Sequence, residues 1–112
     1  MNVDENALLE HMVEVIVREV DPDAIILFGS RTRGDAKPDS DVDLLVIDKE
    51  NFSPRRSRCL TAGRLYRKLA GCGLAKDLAL YSRDEVDRLA RSPHHLVARA
   101  LKEGRRLYER GA

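Results

Sequence analysis

Leu8, Leu9, Met12, Val13, Ile16 and Val20 recur at helical spacing, with Glu10, Glu14, Arg18 and Glu19 on the other faces. This pattern predicts an amphipathic helix over 5–20, stopped by Asp21-Pro22-Asp23. Ala24 to Phe28 is a short continuous apolar run, the pattern of a buried strand. Gly29-Ser30 ends it abruptly, and residues 34–40 form a polar turn region containing Gly and Pro. Asp41 to Ile47 reads as a second strand. Ser53-Pro54 offers a helix entry, and residues 56–70 read as a helix with Cys59, Ala62, Tyr66 and Leu69 as its apolar stripe. Gly71 and Gly73 end that helix, and Leu74 to Tyr81 reads as a third strand. Ser82 and Glu85 have capping-box spacing and open a short helix to about Ala90. Beyond Pro93, a last helix carries Leu96, Val97, Ala100 and Leu101 and closes at Gly104. The expected order is α-β-β-α-β-α-α: an α+β or α/β domain, a small mixed sheet flanked by helices.

The chain has 112 residues, which predicts one domain over 1–112. With 43% apolar and 35% charged residues, the composition is globular and not disordered. No apolar run approaches the roughly 20 residues of a membrane span, and the acidic start MNVDENALLEH is unlike a signal peptide. Cys59 and Cys72 form no CxxC; two buried thiols in a reducing cytoplasm are expected. With no Trp, 2 Phe and 3 Tyr, an aromatic platform for single-stranded nucleic acid is not expected. The net charge of +1 hides a split. Residues 1–50 hold 5 basic and 13 acidic side chains, and residues 51–112 hold 15 and 6, or −8 against +9.

Three pieces carry candidate chemistry. Gly29-Ser30 directly follows a buried strand, where glycine lets backbone approach a ligand and free N–H groups favour phosphate; an ordinary turn is the plainer alternative. Asp41 and Asp43 share one face of a strand. Their mutual repulsion is relieved by a divalent cation, or by solvent if they merely open the strand. Asp77 is an acid inside the third strand. It is either paired with an Arg or with Lys76, or it stands as a third carboxylate beside the other two.

Together, FGSRTRGDAKPDSDVDLLVI (residues 28–47) and KDLALY (76–81) closely resemble the signature of the minimal nucleotidyltransferases of the DNA-polymerase-β-like superfamily. That signature is Gly-Ser, ten residues and Asp-x-Asp, with a third acid on a later strand. It is matched by Gly29-Ser30, residues 31–40, Asp41-x-Asp43 and Asp77. The helix before the first strand, the capped helix after the third and the closing segment Gly104–Glu109 extend the resemblance over essentially the whole chain.

The resemblance implies a polymerase-β-like core and Mg²⁺-dependent transfer of AMP from ATP, with two metal ions. Asp41 and Asp43 would ligate both ions; Asp77 would help hold the ion nearer the nucleophile and accept its proton. Gly29 and Ser30 would hold the β- and γ-phosphates. Ser40 would orient the turn or touch phosphate, and Arg31 and Arg33 are candidate phosphate contacts. Small members of this family pair with HEPN-domain toxins, so the resemblance implies an antitoxin that adenylylates a tyrosine of a HEPN partner. Two alternatives stay open: a binding-only antitoxin that blocks its partner sterically, and an RNA-directed nucleotidyltransferase. Arg55, Arg56, Arg58, Arg64, Arg67 and Lys68 concentrate positive charge without an acid among them. They suit a solvated face, a partner-steering surface or nucleic acid, the last not favoured. His94-His95 reads as a surface or helix-entry pair.

Overall fold

The computed structural model describes residues 3–29 and 41–111. Helix α1 (Val3–Val20) ends where Asp21 turns into the left-handed region at φ 46°, a conformation that Asp tolerates better than most residues. Strand β1 (Ala24–Phe28) follows, then β2 (Val42–Asp48), helix α2 (Arg58–Leu69), strand β3 (Lys76–Ser82), helices α3 (Arg83–Leu89) and α4 (Leu96–Glu103), and strand β4 (Arg105–Glu109). The sheet order is β3-β2-β1-β4, with β2 and β3 parallel and both neighbours of β1 antiparallel to it.

Helices cover both sheet faces, which is why β1 and β2 are apolar at nearly every position. On one face Ile25, Leu27, Val42, Leu44, Val46, Leu78 and Leu80 pack against Leu9, Met12 and Ile16 of α1 and Leu65 and Leu69 of α2. On the other, Ala24, Ile26, Leu45 and Ile47 pack against Val86 of α3 and Val97 and Ala100 of α4. The capping box is formed: the Glu85 N–H donates to Ser82 Oγ at 3.2 Å and the Ser82 N–H donates to Glu85 Oε1 at 2.9 Å. No described helix is long and apolar enough to cross a membrane.

Four sequence expectations are corrected. The segment after Gly104 is a strand, β4, which pairs with β1 across a register shift at Ile25/Ile26. Its two arginines and half-buried Leu107 and Tyr108 carry no alternating pattern. Helix α2 begins at Arg58 and is capped by Ser57; Ser53 instead closes a small turn with Arg56. Its buried residues are Thr61, Leu65 and Leu69, so the stripe is rotated from the expected one. Cys59 on α2 is exposed and Cys72, beyond the helix, is half-buried, both free thiols.

The charge split is partly resolved by pairing across it. Arg56 binds Asp48 and Glu50, Arg64 binds Glu19, Arg83 binds Asp23 and Arg110 binds Asp21. Lys49, donating to the Asp21 carboxylate at 3.0 Å, together with the nearby Arg110 guanidinium, holds it below the ordinary carboxylate value.

Candidate active site

At one end of the sheet, where β1 finishes and β2 and β3 begin, Phe28 pairs with Asp43 and Asp43 pairs with Asp77. Residues in register on neighbouring strands project from the same face. The two carboxylates therefore stand side by side, Asp43 half-buried and Asp77 exposed. Asp41 lies one residue before β2, exposed, with buried Val42 between it and Asp43. The Val42 N–H donates to the Ala75 carbonyl at 2.8 Å and ties the start of β2 to the chain entering β3.

Gly29 backs directly onto Asp43. Its φ is +82°, and a Cβ built there would collide with Asp43 Oδ2 and lie 3.3 Å from Asp43 Cγ. The glycine is required twice, by its backbone conformation and by the carboxylate occupying the space of a side chain.

Among the described residues Asp77 forms no ion pair. Lys76 Nζ donates to the Leu74 carbonyl at 3.3 Å. Among the described residues the contact to the Asp77 carboxylate comes from Tyr66, whose Oη lies 3.5 Å from Oδ1.

Among the described residues no three or more His, Cys, Asp and Glu side chains gather closely enough to hold a metal ion. The donor set is a pair of paired-strand carboxylates with a third at the approach. Hard oxygen donors of this kind fit Mg²⁺, which typically takes one or two carboxylates and completes its shell with water and substrate phosphates. The residues present therefore fit an ion that arrives with a nucleotide.

Ser30, Arg31, Arg33 and Ser40 lie outside the described residues. A cleft of about 220 Å³ opens beside Gly29, lined by Phe28, Leu96, Arg99, Ala100 and Glu103. A larger one of about 550 Å³, between α1 and β4, shares no residue with the carboxylates. In the basic stretch, Arg56, Arg58 and Arg64 are held in ion pairs, Arg58 with Glu85. Arg58 also stacks over Phe52 and Tyr81 at 4.9 and 5.5 Å. Half the stretch is thus part of the fold's own scaffold. His95 is the N-cap of α4, its Nδ1 accepting the Val97 N–H at 3.0 Å. Tyr66, read as an apolar stripe residue, is the site contact that the periodicity misassigned.

Compared with known proteins, residues 10–112 match the family described as polymerase beta, nucleotidyltransferase. No match is found among curated proteins. A solved structure from Sulfolobus solfataricus, assigned to the nucleotidyltransferases, superposes with a TM-score of 0.60 at 19% identity, covering 93% of this chain and 79% of that one. A toxin–antitoxin structure with AMP-PNP superposes with a TM-score of 0.53 at 23% identity, covering 89% and 73%. At these identities the two structures establish the shared fold.

Proposed function

The chain belongs to the polymerase beta nucleotidyltransferase family, and from that premise we propose that it transfers AMP from ATP to a hydroxyl group, a tyrosine of a HEPN-type toxin, and so acts as an antitoxin. The observation that carries the reading is the register pairing of Asp43 with Asp77 beside Gly29, whose left-handed backbone and missing Cβ leave room for the Asp43 carboxylate. Two carboxylates in register on neighbouring strands repel one another; they suit a metal-bound triphosphate.

Bound Mg²⁺ would neutralise the triphosphate and lower the pKa of the attacking hydroxyl. Asp41 and Asp43 would hold it, with Asp77 on the nucleophile side, where its carboxylate also accepts the hydroxyl proton. Gly29 and Ser30 would hold the β- and γ-phosphates. The cleft beside Gly29 is smaller than the roughly 300 Å³ at which pockets for whole ligands begin, so it would take one part of the nucleotide, its base or ribose. The likeness to a toxin–antitoxin complex with AMP-PNP supports both the nucleotide and a toxin partner.

Incubation of the purified protein with α-labelled ATP, Mg²⁺ and a co-encoded HEPN protein tests this. Label should appear on the partner and vanish with Asp43→Asn. Partner neutralisation that survives Asp43→Asn would support a binding-only antitoxin. Label on RNA would redirect the reading to an RNA-directed enzyme.

A further inference from the structure

Tyr66 projects from the outer side of α2 with 37% of its surface exposed, yet its hydroxyl is engaged twice. The Leu78 N–H donates to Tyr66 Oη at 2.8 Å, and the same oxygen lies 3.5 Å from Asp77 Oδ1. β3 is an edge strand, with β2 on one side only. Alternate backbone groups of an edge strand face away from the ladder, and Leu78 N–H finds its acceptor in Tyr66. A phenol oxygen accepts and donates at once. With Leu78 donating to it, its own proton is left for the Asp77 carboxylate. A phenylalanine would supply the same ring but neither bond, and an exposed apolar ring would gain little from burial here.

We propose that Tyr66 is a positioning residue for Asp77: one hydroxyl pins the strand one residue beyond the acid and restrains the carboxylate itself. This rests on the reading above, in which Asp77 faces the metal-bound nucleotide. The α2 helix thereby sets the third acid of the site from outside the sheet, through a side chain that reaches across its open edge.

The test is a double-mutant cycle on Mn²⁺ affinity, measured by calorimetry with a non-hydrolysable ATP analogue, in wild type, Tyr66→Phe, Asp77→Asn and the double variant. Tyr66→Phe is expected to weaken Mn²⁺ binding about fivefold, the size of one hydrogen bond, and to leave the Asp77→Asn protein unchanged, because the coupling runs through Asp77. The Leu78 amide should also exchange faster in Tyr66→Phe. Affinity equal to wild type in Tyr66→Phe would overturn the proposal, as would an equal loss in the Asp77→Asn background. If the wild-type protein binds no Mn²⁺–nucleotide, the nucleotidyltransferase reading falls first and this proposal with it.

Discussion

The backbone of Gly29 and the carboxylate of Asp43 are packed so closely that no methyl group fits between them. Strand β1 thus ends by supporting the acid on its neighbour β2, and the glycine and the second aspartate of the motif pack directly against each other. Separated by a long stretch of chain, they are adjacent because Phe28 and Asp43 are ladder partners.

Gly29→Ala should therefore act at two levels. The left-handed backbone alone costs about 1–2 kcal/mol for a residue with a Cβ, read as a lowered denaturation midpoint. The added methyl displaces the Asp43 carboxylate, and a misplacement of about 1 Å costs on the order of 10²-fold in rate. Nucleotidyl-transfer assays on the folded variant should show the second effect beyond the first.

Asp77→Asn should separate function from stability. Asp77 is exposed, forms no ion pair among the described residues and faces a like charge in Asp43. Thermal unfolding should be unchanged or shifted upward by a few tenths of a kcal/mol. Transfer activity should fall by about 10²-fold or more if the carboxylate takes the hydroxyl proton.

The pair Asp48–Arg56 should behave asymmetrically. Asp48 is fully buried, whereas the Arg56 side chain keeps 28% of its surface and stacks 5.0 Å from the Phe52 ring. Arg56→Met strands a buried carboxylate, at about 3–5 kcal/mol. Asp48→Leu leaves a cation that reaches water and should cost less. The double variant should recover much of the loss in denaturant titrations.

Glu85 should contribute to acid sensitivity. Burial pushes its carboxyl up, but the Ser82 N–H and the Arg58 guanidinium outweigh that and hold it below its ordinary value of 4.5. A depressed folded-state value means stability that is present above the ordinary value and lost as pH falls through the folded one. Wild type should exceed Glu85→Gln by about 0.2–1 kcal/mol near neutrality, and the gap should close as pH falls through the lowered folded-state value. Chemical denaturation at several pH values measures it.

What the chain pattern revealed depended on burial. β1 was legible to the residue because it lies in the sheet interior with both faces covered, so every position from Ala24 to Leu27 is apolar and buried. The Ser82–Glu85 box was legible because capping is a local bond. β4 was hidden because an edge strand needs few buried positions, and Arg105 and Arg106 give it no apolar signature. The α2 stripe was partly misplaced: Leu69 is buried and Ala62 packs on the core as expected, but Thr61 and Leu65 hold the places given to Cys59 and Tyr66. A buried Thr has no apolar signature, and its hydroxyl donates to the Ser57 carbonyl at 2.9 Å. For the site, spacing gave the motif and register supplied the Asp43–Asp77 pairing. The role of Tyr66 depends on an edge N–H that periodicity does not encode.

The pairing of β4 with β1 joins segments far apart in the chain. β1 has its second ladder only when residues 105–109 lie against 24–27. On the ribosome, the strand that carries Gly29 at its end therefore waits half-paired until nearly the whole span between them has been made. Contacts so distant in sequence form slowly. Pairing of β4 with β1 is consequently a late step of folding, and Gly104, wedged against Ile26 and the Leu27 carbonyl, is where the chain turns into it.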